Sequence, residues 1–245
     1  MPRPRRNFVN CGCYHVTHRC HGGDYLFKFA KHRRLYFEAL HETVDRFHVD
    51  VLNYIVTSNH THLLLWARRG DEVSRAIQFL HGRVGQGYNK MKSRQGAFWT
   101  GRHHATLIQT GSHLSKCLFY IDFNMLRAKA VEHPRDWDVT GCRELLGIKE
   151  RYRVINRKRL LQCLAICDWE HFLPWYQRTI ETEVERRYFH RQPFWSEALA
   201  VGEPTWLESV APRVSRRKRK VIKVAEEPEG VAIGESSPVY YLAGA

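Results

Sequence analysis

Apolar and polar positions along the first 150 residues follow two rhythms in turn. Asn7 to Cys20 holds Val9, Val16 and Thr17 with little helical period and ends at the turn-like His21-Gly22-Gly23-Asp24, which predicts a strand. From Lys28 to Phe47, the residues Leu35, Phe37, Leu40, Val44 and Phe47 recur near helical spacing and predict a helix. Val49 to Thr57 (VDVLNYIVT) is β-rich, Ser58-Asn59 offers a two-residue turn, and His60 to Ala67 (HTHLLLWA) returns as a second strand. Glu72 to about Lys92 predicts another helix, interrupted or ended around Gly82, Gly85 and Gly87. His104 to Thr110 (HATLIQT) is a further β-rich run, and Ser112 stands where it could cap a third helix running to about Lys129. The order is β-α-β-β-α-β-α. Its first six elements match the ferredoxin-like arrangement, an α+β fold with a four-stranded antiparallel sheet and helices on one face.

Past Gly147 the pattern changes. Asn156 to Ile166 and Asp168 to about Phe189 predict helices, with a bend at Pro174. Gln192 to Val214 is mixed, and the chain from Ala225 has little core-forming pattern beyond Val239-Tyr240-Tyr241-Leu242. The chain therefore divides into a domain at 1–147, a mostly helical accessory region at 148–212, and a basic segment with a partly disordered tail at 213–245. We find no internal repeat.

Composition narrows the class. With 43% hydrophobic residues, a sizeable core can form and wholesale disorder is excluded. No stretch approaches the roughly 18 apolar residues of a membrane span, so no membrane partner is expected. The basic start, Met-Pro-Arg-Pro-Arg-Arg, is not followed by the apolar run of a secretory signal. Seven cysteines, an odd number without paired C-x-x-C spacing, point to free thiols in a reducing cytoplasm, acting as small buried hydrophobes. The net charge of +14 favours a polyanionic partner, nucleic acid before anionic membrane. Seven of those positive charges fall between Arg213 and Lys223 with no negative charge among them, either a phosphate-binding arm (Arg216, Arg217, Lys218, Arg219, Lys220 at its centre) or a solvated tail.

Two local patterns could carry chemistry. In His60-Thr61-His62, strand alternation puts both imidazoles on one side, spaced to share a metal ion; two unrelated histidines in a chain with fifteen remain the alternative. On the third helix, Leu114, Leu118, Ile121 and Met125 form an apolar stripe, and Tyr120 and Asn124, four apart, lie on one flank of it. That helix could present a phenol and an amide together toward the sheet, or Tyr120 could simply pack at the core edge.

Taken together these patterns resemble a known family. The runs YHVTHR (Tyr14–Arg19), YIVTSNHTHLLL (Tyr54–Leu65), FWTGRHHATLI (Phe98–Ile108) and YIDFNMLRA (Tyr120–Ala128) occur in the order found in HUH-superfamily single-tyrosine transposases, most like the REP-associated tyrosine transposase branch. The resemblance covers about residues 8–147, and QPFWSEALAVGEPTW (Gln192–Trp206) is similar to a downstream region of some longer members. Two departures stand out. The family's Asn-Pro-Val-Arg-Ala reads Asn124-Met125-Leu126-Arg127-Ala128 here, and Thr61 replaces the hydrophobe between the two histidines.

The resemblance implies cleavage and rejoining of single-stranded DNA, often beside a hairpin, with Tyr120 as nucleophile and a 5′-phosphotyrosine intermediate. It implies Mg²⁺ or Mn²⁺ held by His60, His62 and Asn124. Arg127 shares the nucleophile's helix and is the first expected DNA contact. His15 and Arg19 on the first strand, Arg83 on the second helix and Arg102 before the later strand are further candidates, with Trp99 or Tyr14 stacking on a base. The protein would act as a monomer or homodimer. The alternatives are a DNA- or RNA-binding regulator that keeps the fold without cleaving, and a replication or conjugation initiator of the same superfamily. Such initiators usually place the tyrosine differently or carry a helicase, for which there is no P-loop here.

Overall fold

A computed structural model describes residues 8–187, 189–214, 221–223 and 231–233. The expected order is present: β1 (Gly12–Arg19), α1 (Ala30–Arg46), β2 (Val49–Val56), β3 (His60–Ala67), α2 (Gly70–Met91) and β4 (His104–Ile108). The strands stand in the order β2-β3-β1-β4, all antiparallel, which is the ferredoxin-like sheet. The turn between β2 and β3 is closed by Thr57, whose backbone N–H and hydroxyl both donate to the His60 carbonyl. Strand β1 begins at Gly12, later than the pattern suggested.

The glycines of α2 do not break it: the helix runs unbroken through Gly82, Gly85 and Gly87. Packing outweighs propensity here. A Cβ at Gly87 would come within 3.0 Å of Leu35 on α1, so the missing side chain lets the two helices approach. These helices bury Tyr36, Leu40, Val73, Ile77, Leu80 and Val84 against Tyr14, Val16, Leu63 and Leu65, one face of the sheet.

The other face is covered as well. α3 (Ser112–Asp122) lays Leu114, Leu118 and Ile121, each fully buried, against Cys13, Leu52, Leu64 and Ile108. Burial of this kind is worth roughly 1.5–3 kcal/mol per side chain. Gly111, not Ser112, occupies the cap position of α3; its φ of 79° is one that glycine adopts without strain, and its N–H donates to the Cys163 carbonyl. The helix is also shorter than expected. It ends at Asp122, and a one-turn helix, α4 (Asn124–Arg127), follows.

A bulge in β2 shifts the register between Val51 and Asn53, so that Leu52 and Asn53 in succession turn toward α3. Asn53 Nδ2 then donates to the Leu118 carbonyl and to Asp122 Oδ1, while Tyr176 donates to Asp122 Oδ2. Asp122 is fully enclosed; its burial raises its pKa to about 7 despite the two hydrogen bonds. This network holds the end of α3, and hence Tyr120, against the sheet.

The chain beyond residue 147 packs into the same layer. α5 (Cys142–Leu145) leads to α6 (Arg157–Leu164) and α7 (Trp169–Arg186), and Leu160, Phe172 and Tyr176 join the core beside α3. Pro174 lies inside α7, which continues past it, and Asp168 caps that helix by accepting from the His171 N–H. After α8 (Phe194–Glu197), β5 (Ala200–Gly202) adds parallel to β4. Next come α9 (Pro204–Val214), β6 (Val221–Lys223) and β7 (Val231–Ile233), the last two extending the sheet antiparallel. The division drawn at Gly147 follows the motifs; the packing runs across it. Among the described residues no helix is long and apolar enough to cross a membrane. All seven cysteines are free, and Cys11 and Cys167 are exposed rather than buried. Arg216, Arg217, Lys218, Arg219, Lys220 and the Val239–Leu242 run lie outside the described residues.

Candidate active site

β1, β3 and the α3–α4 junction meet at a cavity of about 540 Å³. His60 and His62 of β3, Tyr120 of α3 and Asn124 of α4 all line it, so the two sequence patterns that stood 58 residues apart share one surface. The break after Asp122 does not separate Tyr120 from Asn124.

The hydrogen bonds fix where the imidazole protons are. His60 Nδ1 is 2.7 Å from Asn59 Oδ1, an acceptor only, so the proton is on Nδ1 and Nε2 keeps its lone pair. His62 Nδ1 is 2.8 Å from His15 Nε2, and His62 Nε2 is 2.9 Å from the Asn124 amide nitrogen, which donates to it. His60 lines the same cavity as Asn124. Two imidazole lone pairs therefore border one cavity beside that amide. Burial above all, with Arg19 and Arg127 adding to it, holds both rings neutral: the His60 pKa falls to about 4, and that of His62 lies well below the usual range. Turning the Asn124 amide over would present its oxygen beside the two lone pairs. The donor set of two neutral nitrogens and one oxygen fits a divalent cation with positions left open.

Tyr120 is 7% exposed. Burial raises its pKa, and the positive charges of Arg127 and Arg191 and a hydrogen bond with Ser196 work against that rise. The Arg127 guanidinium lies 4.0 Å over the Tyr120 ring and donates to the Tyr120 carbonyl. Arg19, Arg127 and Arg191 all line the cavity, which suits a phosphate.

The remaining candidates scatter. Arg83 pairs with Glu42 of α1 on the exposed outer face of α2 and does not line the cavity. Arg102 is exposed on the loop before β4. His15 is fully buried and donates from Nδ1 to the Trp195 carbonyl, so it cannot meet DNA phosphates. Tyr14 is buried with its hydroxyl bonded to Val9, so it presents no face to a base, and Trp99 is half-buried with one face stacked on His18. The separate trio Cys167, Asp168 and His171 sits exposed at the start of α7, where the cap explains it.

Spacing missed the segment after α7 altogether. Phe189, Arg191, Ser196 and Glu197 line the cavity, Arg191 pairs with Glu197, and Trp195 packs against Tyr120 with ring centroids 6.2 Å apart. The one available signal was the likeness of Gln192–Trp206 to longer family members.

Comparison with known proteins bears on the family likeness and the fold. Residues 11–124 match the model of the IS200-like transposase family, 114 of the 245 residues. That stretch is similar to IS200-like transposases, in line with the likeness to the REP-associated branch. A solved structure of a REP-associated tyrosine transposase bound to a REP hairpin aligns with a TM-score of 0.52 at 14% identity, over 60% of this chain and 86% of that one. It shares the fold. A Deinococcus radiodurans protein described as a candidate transposase aligns at 13% identity over 53% of this chain and 98% of that one, with a TM-score of 0.35, too loose to carry an argument. No curated protein matches the chain.

Proposed function

We propose that this protein is a metal-dependent single-stranded DNA endonuclease and strand transferase, with Tyr120 as nucleophile and His60, His62 and Asn124 holding Mg²⁺ or Mn²⁺. One observation carries the reading: two imidazole lone pairs, an amide and a phenol converge on one cationic cavity. Arg19, Arg127 and Arg191 would hold the scissile phosphate within reach of the Tyr120 hydroxyl. The phenolic oxygen bonds to phosphorus, the bond to the 3′ oxygen breaks, the phenolic proton leaves to solvent and the 3′ oxygen takes one up. The products are a 5′-phosphotyrosine and a 3′ hydroxyl. The reverse attack by a 3′ hydroxyl rejoins DNA with no external energy source. A phenol with an ordinary pKa of about 10 is a poor nucleophile at neutral pH, and Arg127 over the ring favours its ionised form. When bound, a divalent ion would polarise the phosphate and stabilise the departing oxygen.

The structural relative was solved with a REP hairpin, and a hairpin or inverted repeat is the substrate we propose here. The run Arg213–Lys223 is proposed as an arm along the DNA backbone. Changing Arg216, Arg217, Lys218, Arg219 and Lys220 to Gln should flatten the slope of log affinity against log salt by roughly 2–3 units, at about 0.7 per phosphate on single strands.

The test is covalent trapping. Incubated with Mn²⁺ and a hairpin oligonucleotide carrying a 5′ single-stranded flank, the protein should give an adduct stable to denaturing gels. Tyr120→Phe removes one oxygen and should abolish the adduct completely while DNA binding persists. Binding by the unaltered protein with no adduct under any divalent ion would favour the non-cleaving regulator instead.

A further inference from the structure

The first strand carries a histidine that the proposed chemistry does not touch. His62 pairs across the sheet with Thr17, and His15 lies diagonal to it, within reach of a ring on the same face. The two rings stack at 4.9 Å with 14° between their planes. His15 is wholly enclosed, and each of its two ring nitrogens has one partner, the Trp195 carbonyl at 2.7 Å and His62 Nδ1 at 2.8 Å.

These partners leave one arrangement of protons. A carbonyl oxygen only accepts, so His15 Nδ1 carries a proton and donates it. A buried imidazole with no carboxylate among its partners is neutral, so His15 Nε2 is a lone pair. It accepts from His62 Nδ1, which leaves His62 Nε2 bare on the side of Asn124. The carbonyl of a residue 180 positions away in sequence thus selects, through one intervening ring, which nitrogen of His62 faces the cavity.

We infer that His15 is a positioning residue: it sets the tautomer and ring orientation of His62, and it ties that ligand to the backbone of α8. The inference rests on the reading of His62 as a metal ligand. Outer partners of this type typically change metal affinity by about 10–100-fold when removed. They do so without touching the ion, because the ring must otherwise give up the wrong proton or turn before it can bind. The bond to Trp195 also makes the segment after α7 part of the metal-binding face, although every expected ligand lies before residue 125.

The experiment uses the full chain without DNA. Long-range ¹H–¹⁵N spectra of the metal-free protein report the tautomer of each imidazole, and Mn²⁺ titration followed by electron paramagnetic resonance reports affinity. Expected in the unaltered protein are a protonated Nδ1 and a bare Nε2 on His62. His15→Leu removes both partners; His62 should shift toward the Nε2–H form, and Mn²⁺ should bind about 10–100-fold more weakly. His15→Gln can place an amide oxygen near His62 Nδ1 and should recover most of the affinity. That rescue separates positioning from mere packing, and it keeps the test usable if the Leu variant folds poorly. An Nε2–H tautomer of His62 in the unaltered protein would overturn the inference. So would unchanged Mn²⁺ affinity in His15→Leu while His62→Ala has lost binding, a result that leaves His62 a ligand. If His62→Ala itself binds Mn²⁺ as the unaltered protein does, the ligand reading fails and the inference falls with it.

Discussion

Strand β1 carries two histidines three residues apart, and they enter opposite histidine clusters. His15 joins His60 and His62 on the α3 side. His18 turns to the α2 side, where it lies flat on Trp99 at 4.4 Å and 7°, with His81 and His103 nearby. In the second cluster both ring nitrogens of His18 are engaged. His18 Nδ1 meets His81 Nδ1 at 2.9 Å, its Nε2 meets the Gly101 carbonyl, and the Trp99 indole donates to the His81 carbonyl. In the first cluster, Asn59 and His15 take the Nδ1 protons of His60 and His62, and two lone pairs converge beside an amide, a phenol and three arginines. Equal density of histidine thus yields a packed aromatic stack on one face and a candidate metal site on the other. What separates them is what lies beside the rings: Trp99 flat on His18 in the second, an amide, a phenol and three arginines in the first.

The difference is broken most strongly at His62. His62→Ala should lower cleavage by about 10²–10³-fold, comparable to removing one transition-state stabilising group, with the fold intact by circular dichroism. His81→Ala should do the reverse. It should cost about 1–3 kcal/mol in denaturant unfolding, as loss of a buried, packed ring does, while leaving Mn²⁺ affinity as it was.

Acid should probe the first cluster more gently. In the unfolded chain these imidazoles protonate near pH 6.5, whereas burial holds His15 down to about 3 and His60 to about 4, with His62 also lowered. Between those limits the unfolded chain binds more protons, so their contribution is present above pH 6.5 and is lost as pH falls. Asp122 opposes them. Its raised pKa of about 7 makes its contribution complete below 3.8 and lost as pH rises through 7. Three imidazoles outweigh one carboxyl. Chelator-treated protein should lose about 2 kcal/mol of stability per pH unit between pH 6 and 4.5, read from urea unfolding. A flat profile there would mean that the rings are not enclosed as described. The smallest effect belongs to Arg83→Ala. Its pair with Glu42 is exposed and screened by solvent, so neither the urea midpoint nor cleavage should change measurably.

Much of this was legible along the chain. The ferredoxin-like order, the hairpin that holds His60 and His62, and the helix that carries Tyr120 all follow from short-range periodicity, because β and α side-chain rhythms are local properties. The errors were local rules overruled from a distance. α2 runs through its glycines, with Leu35 of α1 packed close to Gly87, and Gly111 takes the cap position with its N–H bonded to the distant Cys163 carbonyl.

By itself, then, the sequence determined the elements, their order and the residue types of the candidate site: imidazoles two apart on a strand, a phenol and an amide four apart near a helix end. Only the tertiary structure decided which charges face that site and where its protons lie. Arg127 and Arg19 line the cavity while Arg83 does not, and Arg191 and Ser196 arrive from beyond α7. The proton on His62 is set by His15, 47 residues earlier, which is set in turn by a carbonyl 180 residues away from it. A hydrogen-bond partner is a matter of position in space. Strand and helix periods repeat over a few residues and carry no record of which distant backbone will close over them.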